Sequence, residues 1–115
     1  MARSFHQKMQ DERAWIGIDL DRTLAKYETH EGGYDPLRIG EPLWPMVARI
    51  KNWIAQGYCV KIFTARVSGF DLDTTEGQAG LALVVDAIQN WLEKEAGLPR
   101  LECTCVKDYR CVAIW

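Results

Sequence analysis

The chain has 115 residues, enough for a single domain with one hydrophobic core but short for a complete enzyme. Hydrophobic residues make up 48% of the sequence and charged residues 26%, the balance of an ordinary globular domain. A net charge of −2 gives no electrostatic reason to expect a nucleic-acid partner, and no apolar stretch approaches the roughly 20 residues that span a bilayer. Residues 1–13 are polar and lack the apolar core of a signal peptide, so we expect a cytoplasmic protein with no membrane partner.

Four short apolar runs are predicted β-strands, and two stretches with apolar residues at helical spacing are predicted α-helices. The strands are a run that starts at Ala14 and ends at Asp19, and the runs over residues 58–63, 101–106 and 111–115. The first helix has its apolar face at Leu43, Val47, Ile50 and Ile54 and stops at Gly57. The second has its apolar face at Leu81, Val84, Val85, Ile88, Trp91 and Leu92 and ends at residues 97–99. Helices that connect successive strands are the crossovers of a parallel sheet, so we predict an α/β fold with one domain over residues 1–115.

Two polar segments connect these elements. Residues 28–35 contain the turn signal Gly32-Gly33 and predict either a small hairpin, with Tyr27 and Tyr34 as a cross-strand pair, or a surface loop. Residues 64–80 have the glycines and acids of a solvated loop. We favour that loop over a second metal site built from Asp71 and Asp73.

All four cysteines fall within the predicted strands, at Cys59, Cys103, Cys105 and Cys111. Zinc ligands usually come in pairs on loops with spacings such as C-x2-C, whereas Cys103 and Cys105 are two residues apart and would share a strand face. We therefore expect buried free thiols rather than zinc ligands, and no disulfide in a reducing compartment.

Asp19 and Asp21 are the most informative residues, because a strand delivers both of them to its carboxyl end. Side chains alternate along a strand, but the chain leaves the strand here, so both carboxylates can converge on one site. Two adjacent carboxylates repel each other unless a cation or a shared proton relieves the repulsion. Such pairs bind metal ions or attack phosphate. The alternative interpretation is an acidic, solvated turn.

Two more polar residues follow the other predicted strands. Thr64 comes directly after the second apolar run, and Lys107 comes directly after the third. Because parallel strands open their carboxyl ends onto one edge of the sheet, these residues are predicted neighbours of Asp19 and Asp21. Each also has a simpler interpretation, since Thr64 can cap the following turn and Lys107 can be a solvated lysine.

This ordered set of residues resembles the haloacid dehalogenase (HAD) superfamily of phosphotransferases, over residues 15–115. Asp19 and Asp21 match its first motif, Thr64 its second and Lys107 its third. The resemblance implies a three-layer Rossmann-like fold with a parallel sheet in the order 3-2-1-4, helices on both faces and the site at the carboxyl edge. A receiver domain of a phosphorelay agrees less well, because no Asp ends the second or third predicted strand.

The resemblance also implies a Mg²⁺-dependent phosphomonoester hydrolase. Asp19 would attack phosphorus and form an aspartyl-phosphate, while Asp21 would protonate the leaving oxygen and then activate water. Mg²⁺ would bind the Asp19 carboxylate and the Asp21 backbone carbonyl, and Thr64 and Lys107 would hold the phosphoryl oxygens. Arg66 is a further candidate for a phosphate or substrate contact.

Two features of the motif spacing bear on this activity. Neither interval between motifs has room for a cap domain, which favours an open site for a phosphorylated small molecule or polymer end. The fourth motif of the superfamily, one or two acids after the next strand, would begin beyond Trp115, and Asp108 precedes that strand. We therefore expect either a weakened phosphatase or an impaired fragment that binds only phosphate or a protein partner. The apolar run 111–115 also favours a homodimer through an exposed edge strand.

Overall fold

The computed structural model describes residues 14–27 and 32–115. This part of the chain contains four β-strands, two α-helices and one short 3₁₀ helix. In order they are β1 (Trp15–Asp19), α1 (Trp44–Ala55), β2 (Val60–Phe63), the 3₁₀ helix (Ala65–Val67), α2 (Thr75–Lys94), β3 (Cys103–Thr104) and β4 (Cys111–Ile114). None of the described helices combines the length and the apolar character that crossing a membrane requires.

The four strands form one parallel sheet in the order β3-β2-β1-β4. The predicted α/β class, parallel pairing and strand order are therefore confirmed. β1 is an inner strand, with Ile16 paired to Val60 of β2 and Trp15 paired to Cys111 of β4. Because β1 and β2 run in the same direction, their carboxyl ends place Asp19 and Thr64 at the same edge of the sheet.

One face of the sheet carries the hydrophobic core. Ile16 and Ile18 of β1 are in register with Val60 and Ile62 of β2, so these four side chains point to the same face. They form one cluster with buried residues of both helices, namely Val47, Ile50 and Trp53 of α1 and Val84, Ile88, Trp91 and Leu92 of α2. The described helices thus cover one face, which differs from the prediction of helices on both faces. The reason is topological, because two right-handed crossovers that step in the same direction place their helices on the same side.

The opposite face is covered by the indole of Trp15, which is 1% exposed. Gly17 makes room for this indole, since a Cβ at Gly17 would lie 3.0 Å from Trp15 Cζ3 and 3.2 Å from Ile114 Cγ1. Trp15 Nε1–H donates to Asp108 Oδ1 at 2.9 Å, and Lys61 Nζ lies 4.9 Å from the centre of the indole ring. The hydrogen bond lowers the pKa of the Asp108 carboxyl and anchors the β3–β4 connection to the first residue of β1.

Helix α2 begins earlier than the sequence predicts. Residues 75–80, which the glycine content assigns to a loop, form its first turns. The Thr74 hydroxyl caps the helix by accepting a hydrogen bond from Gly77 N–H at 3.0 Å. A Cβ on Gly77 would collide with the backbone oxygen of Asp71, so glycine lets the preceding turn pack against the helix. This glycine serves close packing rather than loop formation, and that is why the composition was misleading.

The four cysteines are free thiols, but the prediction that all are buried within strands is wrong. Cys59 is exposed and precedes β2, and Cys105 follows β3. The strands are shorter than the apolar runs 58–63 and 101–106 that contain them, which leaves these two thiols outside the sheet. In β3, burial raises the pKa of the Cys103 thiol to about 11, with a further contribution from the charge of Glu102.

Candidate functional site

A tight turn follows β1 and holds the two predicted acids at one end of the sheet. The Leu20 carbonyl accepts hydrogen bonds from Leu24 N–H at 3.0 Å and Ala25 N–H at 2.9 Å. Arg22 N–H closes the turn on the Ala25 carbonyl at 2.7 Å, with Arg22 in the left-handed region at φ 71°. An L side chain is strained in this conformation, so the turn is maintained by its hydrogen bonds.

Asp19 is the last residue of β1, and its side chain is exposed to solvent. Its backbone N–H donates to the Trp115 carbonyl at 3.0 Å, which keeps the residue in the sheet. The carboxylate makes no hydrogen bond or ion pair with any residue in 14–27 or 32–115. Partial burial raises the pKa of the Asp19 carboxyl, and the neighbouring charge of Asp21 raises it further.

Asp21 is in a different situation, because Arg66 binds both of its carboxylate oxygens. Arg66 Nε–H donates to Oδ2 at 2.9 Å, and Arg66 Nη2–H donates to Oδ1 at 2.7 Å. The Arg66 side chain is only 5% exposed and that of Asp21 25%. The pair is therefore a bidentate, charge-assisted contact that is partly withdrawn from water.

The remaining donors of Arg66 reach a second part of the chain. Nη1–H donates to the carbonyl of Arg38 at 2.8 Å and to that of Pro36 at 3.2 Å. The guanidinium carbon lies 5.2 Å from the centre of the Tyr34 ring. The sequence suggested Arg66 as a substrate contact, but the structure turns its guanidinium inward onto protein groups. The available sequence signal was a long cationic side chain two residues beyond Thr64, at the end of the strand predicted to lie beside the acid pair.

Thr64 lies directly after β2 and is 4% exposed. Its backbone N–H donates to the Thr104 carbonyl at 2.9 Å, which continues the pairing of β2 with β3. The Thr64 hydroxyl oxygen accepts a hydrogen bond from Arg66 N–H at 3.2 Å and so caps the 3₁₀ helix. The cap that the sequence offered as an alternative is present, and Thr64 contacts the residue that binds Asp21.

Lys107 makes no hydrogen bond or ion pair with the other predicted site residues in the part of the chain that the structure describes. It is exposed and lies in the connection from β3 to β4. Its neighbour Asp108 is bound to Trp15, at the opposite end of β1 from Asp19. A five-residue strand measures roughly 13 Å between its first and last Cα atoms, so Asp108 is not a partner for the acid pair.

Two groups at this edge are oxygen donors that could hold a metal ion. Asp19 offers an unpaired carboxylate and Asp21 a backbone carbonyl, since both side-chain oxygens of Asp21 are held by Arg66. Within residues 14–27 and 32–115, no three His, Cys, Asp or Glu side chains are close enough together to hold a metal. Two oxygen donors suit Mg²⁺, which keeps several waters, and do not suit zinc or a closed calcium cage.

A cavity of about 360 Å³ lies next to the turn that follows β1. Its walls are formed by Thr23, Leu43, Pro45, Met46 and Arg49. The Arg49 guanidinium lies 4.6 Å from the centre of the Trp115 ring, and the Trp115 carbonyl accepts the Asp19 hydrogen bond. The cavity therefore adjoins the carboxyl end of β1, a relationship that the sequence did not indicate.

Comparisons with protein-family models, with curated proteins and with solved structures found no match for this chain. The structure brings Asp19, Asp21, Thr64 and Arg66 to the ends of the adjacent strands β1 and β2.

Proposed function

We propose that the chain is a HAD-like, Mg²⁺-dependent phosphomonoester hydrolase that acts through an aspartyl-phosphate on Asp19. The observation that supports this most directly is the unequal environment of the two acids. Asp19 is exposed and unpaired in the described structure, as a nucleophile must be, whereas Asp21 is oriented by Arg66. A merely solvated acidic turn would not require a buried arginine to hold one of its two carboxylates.

The proposed reaction has two displacements at phosphorus. An Asp19 carboxylate oxygen attacks, the bond from phosphorus to the ester oxygen breaks, and that oxygen takes a proton from Asp21. Water then attacks the aspartyl-phosphate, gives its proton to Asp21, and inorganic phosphate leaves with Asp19 regenerated. Each Asp21 oxygen holds one hydrogen bond from Arg66 and keeps a second lone pair, on which the transferred proton can reside.

The charges at the site explain why a cation belongs to the proposal. The Asp19 carboxylate has no cationic partner within the described chain, so it would repel a phosphate group that binds next to it. Mg²⁺, held by the Asp19 carboxylate and the Asp21 carbonyl, would supply the positive charge that offsets this repulsion.

Thr64 and Lys107 differ in how far they lie from the position expected for the phosphate. The Thr64 hydroxyl accepts from Arg66 N–H and retains its own proton, which it can donate to a phosphoryl oxygen. Lys107 is assigned to the phosphate because of its place after β3, and its flexible side chain would have to move toward Asp19 to serve this role. The contribution of Lys107 therefore depends on substrate being bound.

The surroundings of the site bear on the substrate. Asp19 is exposed at the carboxyl edge, which suits a protruding phosphate on a small molecule or at a polymer end. The adjoining cavity has mostly apolar walls together with the Arg49 guanidinium. We propose that it receives part of the leaving group.

The test is release of inorganic phosphate from an aryl phosphate, measured with and without Mg²⁺. Wild type should turn over only with Mg²⁺, and Asp19→Asn should be inactive. Asp73→Asn is the matched control, because Asp73 is an exposed acid in the turn before α2 and should leave the rate unchanged.

Three further outcomes are informative. A hydroxylamine-sensitive phosphate adduct on wild type, absent from Asp19→Asn, would establish the covalent step. Retention of phosphate binding without turnover would overturn the hydrolase proposal and favour a domain that only binds phosphate. An equal rate in wild type and Asp19→Asn would rule out the assigned nucleophile.

A further inference from the structure

The side chain of one arginine holds segment 34–38 to the rest of the described molecule through hydrogen bonds. Its internal hydrogen bonds run from Leu37 N–H to Asp35 Oδ1 at 2.9 Å and from Arg38 N–H to the Asp35 carbonyl at 3.1 Å. Within the described part of the chain, its hydrogen bonds to other elements are the two that Arg66 donates to the Pro36 and Arg38 carbonyls.

Burial contributes little to fixing this segment. Tyr34 is 55% exposed and Leu37 is 49% exposed, so neither side chain is inserted into the core. A segment with few buried apolar contacts opens locally at low free-energy cost unless specific bonds hold it. Arg66 supplies such bonds, and the ring of Tyr34 lies against the same guanidinium.

The same guanidinium therefore serves two groups that are distant in sequence. It binds Asp21, which is 45 residues away, and the carbonyls of Pro36 and Arg38, which are 30 and 28 residues away. The planar fork of arginine fixes the relative directions of its N–H bonds, so a displacement of one partner disturbs the bonds to the others. An ammonium group could not reproduce this geometry.

We propose that Arg66 is a positioning residue that couples the charge of the Asp21 carboxylate to the placement of segment 34–38 beside the site. This inference deepens the proposed function and rests on it for its catalytic part. The bidentate pair with Asp21 holds the guanidinium, and the guanidinium holds the segment. A side chain at position 21 that offers one acceptor instead of two would hold the guanidinium, and with it the segment, less tightly.

The first measurement is amide hydrogen exchange of segment 34–38 in the full chain, without substrate. Asp21→Asn keeps the shape of the side chain but replaces one acceptor by a donor. It should accelerate exchange at Leu37 and Arg38 at least about 3-fold, and Arg66→Gln should accelerate it about 10-fold or more. Asp19→Asn and Arg100→Gln are the matched controls and should leave it unchanged, because Asp19 does not bind Arg66 and Arg100 pairs with Asp86 and Glu93 on the surface.

Exchange in Asp21→Asn equal to that of wild type would overturn the coupling. This variant removes the negative charge at position 21 but keeps a side chain of the same shape next to Arg66. Arg66→Lys should behave like Arg66→Gln, because one ammonium cannot bind both oxygens and both carbonyls. Amide exchange of segment 34–38 that is as slow in Arg66→Lys as in wild type would show that a positive charge alone holds the segment, and it would contradict the positioning role.

The second measurement separates positioning from substrate contact. For hydrolysis of an aryl phosphate, Arg66→Gln should lower kcat at least about 10-fold with KM changed less than about 3-fold. A raised KM with unchanged kcat would make Arg66 a substrate contact and overturn the inference. If wild type shows no phosphatase activity, the proposed function fails, but the exchange measurement still decides whether Arg66 couples Asp21 to the segment.

Discussion

Arg66 binds Asp21 through two parallel hydrogen bonds, 2.9 Å from Nε to Oδ2 and 2.7 Å from Nη2 to Oδ1. The pairing makes the two acids after β1 chemically different, because Asp21 has a cationic partner and Asp19 has none within the described chain. This difference underlies the roles proposed for them.

Removal of Arg66 should destabilise the protein. In Arg66→Gln the Asp21 carboxylate loses its cation and two backbone carbonyls lose their donor. Breaking a fully buried pair costs about 3–5 kcal/mol, and since Asp21 is partly exposed we expect a loss of about 2–3 kcal/mol in the free energy of unfolding. Urea denaturation of wild type, Arg66→Gln, Asp21→Asn and the double variant measures both the loss and the coupling. Additive losses would contradict a direct interaction of this strength.

Replacement of Asp19 should stabilise the protein at neutral pH. The pKa of Asp19 is raised above its ordinary value of 3.8 by partial burial and by Asp21, so its ionised form is less favourable in the folded chain. The folded state then binds more protons than the unfolded state between the two pKa values, and stability falls as pH rises through that window. Asp19→Asn should therefore have a higher Tm than wild type at pH 7.

The advantage of Asp19→Asn should disappear below about pH 3.8, where the wild-type carboxyl is protonated in both states. Thermal unfolding followed by circular dichroism from pH 3 to pH 8 measures this dependence, with Asp73→Asn as the control. A Tm difference that is the same at all pH values would assign the effect to packing rather than to charge.

The conformation of Arg22 predicts an order of stability among its variants. At φ 71° an L residue is strained, and a β-branched residue is the least suited to this region. Arg22→Gly should be more stable than Arg22→Val by about 1–2 kcal/mol in urea denaturation. Arg22→Gly also loses the guanidinium that lies 5.0 Å from the Tyr27 ring centre, so its gain over wild type should be small. Equal stability of the glycine and valine variants would mean that the turn relaxes away from this conformation.

Two glycines of α2 should respond differently to alanine. Alanine usually stabilises a helix relative to glycine by about 0.5–1 kcal/mol. At Gly77 the new methyl group would collide with the Asp71 backbone, and we expect a loss of about 1–3 kcal/mol. At Gly80 it would meet the ring of Phe70, which can move, so the change should be within about 0.5 kcal/mol. Chemical denaturation measures the free energy of unfolding of both variants. A Gly77→Ala variant more stable than wild type would show that the turn before α2 does not pack as described.

Several features could be predicted because they depend on local patterns. The apolar spacing of α1 and the stop at Gly57, which lies at φ 84° beyond the helix end, follow from residues close together in sequence. The two predicted crossovers indicated a parallel sheet, and the resemblance to the HAD superfamily supplied the strand order 3-2-1-4. Parallel pairing then brings Asp19 and Thr64 to one edge, since all strands of such a sheet end on the same side.

Other features follow only from the tertiary structure, because they depend on distances between residues that are far apart in the chain. The sequence showed two neighbouring acids and an arginine, but not that the arginine would bind one acid and leave the other exposed. Nor could composition show that Gly77 lies inside a helix, where it allows the Asp71 turn to pack closely. The sequence by itself thus indicated that Asp19, Asp21 and Thr64 reach the carboxyl edge. The packing of the chain decided which of them are paired, because a charge that is partly withdrawn from water is stabilised by an opposite charge close to it.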